Sequence, residues 1–195
     1  REIRGRGFAW GMVSNGLLID APMMRELSRN GLCSLAVDVD GLRDSHNWLR
    51  NDETSYDRVF EAIGHIRRAP RLVWDVITCV HPGNIDELPE LRRMLVEAGV
   101  RKWRCFTIVP MGRADSNAAL QLSDAQFLRL MRFIVETREQ WKIDLNYACE
   151  GFLGDFEMRA RSYPFYCGAG LSVASVRADG AISGCLSIRS HYEQG

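Results

Sequence analysis

The stretch LVWDVITCVHPGNIDELPELRRMLVEAGVRKWRCFTIVP, residues 72–110, decides the fold. Leu72–Val80 is rich in Val and Ile, lies between Pro70 and Pro82-Gly83, and reads as a strand. Residues 84–98 then carry Ile85, Leu88, Leu91, Leu95 and Ala98 on one helical face and stop at Gly99. Pro89 lacks an N–H, so regular helix is expected to begin nearer Leu88 than Asn84. Trp103–Val109 follows as a second apolar strand. A strand, a covering helix and another strand, with apolar runs too continuous for a one-sided sheet, make the unit of a parallel sheet.

Working outward, the alternation repeats. Phe8–Ser14 reads as a strand ending at Asn15-Gly16. Asp20 offers an N-cap, Pro22 sits in the first turn, and Gly31 closes a short helix. Leu35–Val39 is a further strand. Thr54-Ser55-Tyr56-Asp57 resembles a capping box ahead of Tyr56, Val59, Phe60, Ile63 and Ile66 at helical spacing. Ser123-Asp124-Ala125-Gln126 caps a long helix through Phe127, Met131, Ile134 and Val135, and Ile143–Ala148 is a fifth strand. The expected fold class is α/β, a parallel sheet covered by helices over residues 1–150. Residues 151–166 change character, with Gly151, Gly154, Pro164 and the aromatics Phe152, Phe156 and Tyr163, and read as a connection into a second unit that begins at Cys167.

The net charge is zero and no Lys/Arg-rich run stands out, so neither nucleic acid nor an anionic membrane is an expected partner. No apolar stretch approaches the ~18 residues of a spanning helix. Six cysteines in 195 residues are too sparse for a disulfide scaffold and fit a reducing compartment, hence a cytoplasmic expectation. Cys33, Cys79 and Cys105 lie in or beside strands and read as buried thiols; Cys149, at a strand end, stays open. Cys167, Gly180 and Cys185 stand in a Cys-x12-Gly-x4-Cys array. Ser172–Val176 reads as a strand and Asp179-Gly180 as a turn, so a hairpin brings both sulfurs together. Thiolates are the soft ligands of an iron–sulfur cluster; two unrelated buried thiols are the alternative.

In parallel α/β folds ligands bind at the C-terminal ends of the strands. Polar residues gather there: Ser14-Asn15-Gly16, Asp38-Val39-Asp40-Gly41, Thr78, and Pro110-Met111-Gly112-Arg113. Singly, each is ordinary turn chemistry.

Taken in order, Ser14-Asn15-Gly16, Asp38-Val39-Asp40-Gly41, His46-x3-Arg50, Ile108–Ala114 and the Cys167–Cys185 array resemble the radical S-adenosylmethionine enzymes. The similarity is to the branch that carries a C-terminal SPASM domain with auxiliary iron–sulfur clusters. It implies a partial (β/α) TIM-like barrel, the later units of a (β/α)6 barrel, followed by the start of a cysteine-containing SPASM-like unit in residues 151–195. It implies S-adenosylmethionine and a [4Fe–4S] cluster as cofactors, a possible auxiliary [4Fe–4S] cluster, and a peptide or protein substrate. Ser14 and Asn15 would line the cosubstrate cavity, Asp38 would approach its ribose or methionine moiety, Arg50 would meet the methionine carboxylate, and Val109 the adenine. Cys167 and Cys185 would be auxiliary-cluster ligands.

The sequence departs from that pattern in three places. The Cys-x3-Cys-x2-Cys loop and the Gly-Gly-Glu stretch are absent and are expected upstream of Arg1, while further cysteines are expected beyond Cys185. By itself the fragment is therefore expected to be inactive. Asp38 replaces the usual Ser and is a candidate partner for Arg50. Two rivals stand beside this reading. One is a non-catalytic, degenerate barrel that binds a partner peptide. The other is a carboxylate or divalent-metal α/β enzyme built on Asp38 and Asp40, though His46, His65, His81 and His191 are scattered.

Overall fold

Five strands, β1 (Trp10–Ser14), β2 (Leu32–Asp38), β3 (Val73–Val80), β4 (Lys102–Thr107) and β5 (Asp144–Tyr147), lie side by side in chain order, every neighbouring pair parallel. The computed structural model describes residues 2–110, 114–115, 117–148, 151–177 and 179–185. Met111-Gly112-Arg113, Cys149 and His191 fall outside that set.

Parallel strands need crossovers, and helices supply them: α2 (Ala21–Arg29), α3 (Arg43–Arg50), α4 (Ser55–Ile66), α5 (Leu88–Glu97) and α6 (Asp124–Gln140). A short α1 (Glu2–Gly5) precedes the sheet and α7 (Glu157–Ala160) follows it. Asp20 caps α2, its carboxylate accepting from Met23 N at 2.7 Å. A 3-10 turn, Ile85–Glu87, leads into α5 at Leu88, with Pro89 in the first turn where its missing N–H costs nothing. Ser123 and Gln126 form the full capping box of α6. Thr54 does not cap α4: it is itself helical in conformation, and its N–H and hydroxyl both go to Asp52 Oδ1.

The sheet has two unlike faces. Val37, Val39, Val76, Val80, Trp103, Cys105 and Leu145 point under the helices and pack on Val59, Ile63, Ile66, Leu91, Leu95, Leu130 and Ile134, all fully or nearly fully buried. The register Asp38–Ile77–Arg104–Asn146 places a mostly polar row on the opposite face. Val13 and Val73 on that face are about half exposed, at 47% and 56%. The expectation of a sheet buried on both sides therefore holds for the helix side alone among the described residues. This is the partial barrel the motif order implied, with the polar face as its lumen.

Cys33 is exposed, contrary to the buried thiol expected. Trp10 pairs with Leu32 and Gly11 with Ser34, so Cys33 is the extra residue of a bulge and is turned away from the core. Cys79 is half-buried and only Cys105 of the three is fully buried, where desolvation pushes its thiol pKa far up. Beyond the sheet, β6 (Ser175–Val176) and β7 (Ile182–Ser183) form an antiparallel hairpin around Asp179 and Gly180, the latter at φ 87°. The first of these strands is shorter than expected, because Val173 bridges to Ala169 instead. Among the described residues, no helix is long and apolar enough to cross a membrane.

Candidate functional site

The C-terminal ends of β1 to β5 share one rim, since Ser14 pairs with Val37, Asp38 with Ile77, and Val80 with Thr107. At its centre is Asp40, with no exposed surface. A buried carboxylate requires compensation, and three donors provide it. Arg50 reaches Asp40 Oδ2 through Nε at 2.7 Å and a terminal nitrogen at 2.5 Å, while Cys79 N donates to Oδ1 at 2.8 Å. The same terminal nitrogen of Arg50 lies 3.1 Å from Asp38.

His46 explains why His and Arg stand four residues apart. One helical turn places both on the same face of α3, and both meet Asp40. Asp40 N donates to His46 Nδ1 at 3.0 Å, so the ring proton sits on Nε2 and is given to Ser55 Oγ at 2.9 Å. Burial, the largest influence on His46, lowers its pKa and keeps it the neutral acceptor that Asp40 N needs.

The loop between β2 and α3 is fastened from a third side. Asn84 Nδ2 donates to Asp40 O at 2.7 Å and to Cys79 O at 2.9 Å, and its Oδ1 accepts from His81 N at 2.8 Å. Glu87 accepts from Leu42 N at 2.7 Å and Ser45 Oγ at 2.5 Å. Gly41 has φ 134°, and a Cβ there would stand 2.6 Å from Glu87 Oε2. Only glycine fits that corner.

Asp38 is held differently. Its side chain is 15% exposed, and among the described residues Arg50 is its only ion-pair partner. Desolvation is the main cause that pushes its pKa up to about 6; Arg50 opposes this and Asp40 adds to it. Nearby, Arg104 on β4 pairs with Asp75 on β3. Three carboxylates, Asp38, Asp40 and Asp75, thus share two guanidiniums, Arg50 and Arg104, and one negative charge is left over.

Of the residues singled out in the sequence, Asp38 and Arg50 are in direct contact. Ser14 and Asn15 end β1, level with the end of β2; Ser14 Oγ accepts from Gly16 N at 3.1 Å and Asn15 Oδ1 from Leu17 N at 3.3 Å. Val109 stands beyond the end of β4, 48% exposed, and is not part of the Asp38–Arg50 cluster. Asp40, which sequence reasoning used only for a rival, is the anchor of the site, and Asn84 and Glu87 were missed. Their signal was faint, lying in Gly41 and in the His46-x3-Arg50 spacing. Two surface hollows lie away from this cluster, one along α2 at Arg25 and Arg29 and one between α5 and α6. The rim is open, because the edge of β1 is unpaired among the described residues.

Cys167 is exposed, Cys185 is half-buried, and neither is in a disulfide. The chain near each of them meets: a Cβ on Gly184 would stand 3.0 Å from Gly170 N. Among the described residues, no group of three or more His, Cys, Asp or Glu is placed to hold a metal ion. Asp40, which the divalent-metal rival would need, is engaged by Arg50 and Cys79 N.

Residues 1–95 match the Radical SAM superfamily. The AdoMet-dependent heme synthase of Methanosarcina barkeri is 25% identical over 139 residues, covering 71% of this chain and 39% of that protein. The sporulation killing factor maturation protein SkfB of Bacillus subtilis is 25% identical over 176 residues, covering 89% and 41%. The chain thus spans about two fifths of the length of these curated relatives. Among solved structures, native anSMEcpe with bound AdoMet superimposes with a TM-score of 0.69 at 15% identity, covering 95% of this chain and 52% of that one. Streptococcus suis SuiB bound to S-adenosylmethionine gives 0.61 at 14% identity, covering 94% and 44%. At these identities the structural likeness speaks to the fold.

Proposed function

We propose that this chain is part of a radical S-adenosylmethionine enzyme of the SPASM-bearing branch, and that it is the cosubstrate-binding part of an enzyme that modifies a peptide or protein. The observation that carries this is the Asp38–Asp40–Arg50 cluster at the rim of a partial barrel, formed by the very residues whose order resembles the family. A guanidinium presented at a strand-end rim suits a carboxylate. Here Asp40 fixes Arg50 from behind through two nitrogens, and Asp40 is fixed in turn by Cys79 N and by the loop that His46, Asn84 and Glu87 secure. That is how a binding group is held ready before its ligand arrives.

In this reading Arg50 takes the methionine carboxylate, Ser14 and Asn15 border the same cavity, and Val109 offers an apolar surface to the adenine. When bound, a [4Fe–4S] cluster supplies the electron that cleaves the cosubstrate to a 5′-deoxyadenosyl radical; the protein binds, orients and excludes water. The ligands of that cluster are expected outside these 195 residues, and the fragment alone is expected to lack the radical chemistry. Residues 1–150 would be the barrel portion, and residues 151–195 the connection and the beginning of an auxiliary-cluster unit. Cys167 and Cys185 fit as two of its thiolates, since the chain segments that carry them touch at Gly170 and Gly184. SkfB is a maturation protein, and SuiB has been solved with its precursor peptide SuiA; this similarity supports a peptide substrate, and the sparse cysteines fit a cytoplasmic setting.

The test uses the intact protein, reconstituted with iron and sulfide without oxygen and then strongly reduced. Release of 5′-deoxyadenosine from S-adenosylmethionine is the expected result. Iron-loaded, folded protein that releases none under strong reductant contradicts the assignment.

A further inference from the structure

The charge at the rim does not balance, and the imbalance falls on one side chain. Asp40 receives Arg50 Nε and one terminal nitrogen and also Cys79 N, is fully buried, and cannot leave. Asp75 has Arg104. Asp38 shares with Asp40 the nitrogen of Arg50 that Asp40 already holds more closely, 3.1 Å against 2.5 Å. Beyond Arg50, the one further cation acting on it is Arg104, which lowers its pKa only weakly and is already paired with Asp75. Along the sheet it pairs with the apolar Ile77, and His46 and His81 are both shifted by burial toward the neutral form.

We propose that Asp38 and a ligand carboxylate compete for the outer nitrogen of Arg50, so that an α-amino-carboxylate ligand binds with Asp38 protonated and draws one proton from solvent. The inference rests on the proposed function, which brings a carboxylate to Arg50, and goes beyond it by assigning the competitor. A ligand carboxylate placed beside Asp38 and Asp40 would be the third carboxylate around one guanidinium. Of the two protein carboxylates, Asp38 is the one that is partly exposed and singly held, so it is the one that takes the proton. Protonated Asp38 then becomes a hydrogen-bond donor at the position where the family usually has Ser, which is also a hydroxyl donor. The groups that set this balance are Arg50 and His46 on α3, Asp40 in the loop before it, Asp75, Cys79 and His81 on or after β3, and Arg104 on β4.

Calorimetry on the intact protein tests this with two probes. S-adenosyl-L-homocysteine keeps the amino-carboxylate, and 5′-methylthioadenosine lacks it. In two buffers of different ionisation enthalpy, uptake of close to one proton per S-adenosyl-L-homocysteine is expected at pH 8, and none for 5′-methylthioadenosine. Affinity for S-adenosyl-L-homocysteine should fall about tenfold per pH unit above pH 6.5 or so. Asp38→Asn should remove the proton uptake, flatten the pH profile and bind roughly ten- to a hundredfold tighter at pH 8; Asp38→Ser, smaller and uncharged, should do the same. Tight S-adenosyl-L-homocysteine binding with no proton uptake overturns the inference alone. Equal binding of the two probes, or binding of neither, overturns it together with the proposed function.

Discussion

Asp38 shows at the scale of one residue how a binding site departs from a stable core. Burial and the neighbouring Asp40 raise its pKa to about 6, above the ordinary carboxylate range near 4. A folded-state pKa above the unfolded one means that the native protein holds the proton more tightly, so ionised Asp38 costs stability. The cost is absent at pH 4, grows between pH 4 and pH 6, and is complete above that. Asp38→Asn is therefore expected to raise stability at pH 8 by about 1–3 kcal/mol and to leave it nearly unchanged at pH 4, as read from denaturant unfolding at the two values. An equal effect at both would show that packing, and not charge, governs the site. Asp40 acts as a structural anchor, because a fully buried carboxylate with three donors cannot lose them cheaply. The sequence marked both acids but could not rank them, since burial and pairing arise only when α3 folds over the end of β2.

At the scale of the element, legibility followed the hydrophobic pattern. α5 and α6 carry apolar residues at helical spacing and clean start signals, and both lie where the pattern placed them, including the late start at Leu88. α3 was not seen. Its sequence, Arg43-Asp44-Ser45-His46-Asn47-Trp48-Leu49-Arg50, has no apolar stripe, because the only residue it buries fully is His46. The helix is held by polar contacts to Asp40, Ser55 and Glu87, which periodicity does not register. The sharp corner ahead of it gives a prediction. Gly41→Ala places a Cβ against Glu87 at a φ that side chains rarely adopt, and should destabilise the protein by roughly 1–3 kcal/mol in thermal or denaturant unfolding. It should also weaken ligand binding, as the loop carries Asp40. A substitution without effect on either would mean that the corner relaxes freely.

For the whole molecule, the parallel order of five strands was legible because each helix and strand repeats one pattern, and that repetition leaves few topologies. Less legible was the unlike character of the two sheet faces. Strands such as Val73–Val80 look apolar throughout, yet Asp75 and Cys79 point to the rim side and Val73 is half exposed there. The hairpin of β6 and β7 was foreseen from Asp179-Gly180, while the contact of Gly170 with Gly184 was not, since close backbone approach leaves no periodic trace.

Cosubstrate affinity in the reconstituted, intact protein measures the central claim most directly, with Arg50→Lys set against the parent. Lysine keeps the charge beside Asp40 but loses the fork that grips Asp40 and faces the ligand at once. The account predicts at least tenfold weaker S-adenosylmethionine binding, about 1.4 kcal/mol, in a variant that still folds. Unchanged affinity in the folded variant would place the cosubstrate elsewhere and contradict the account.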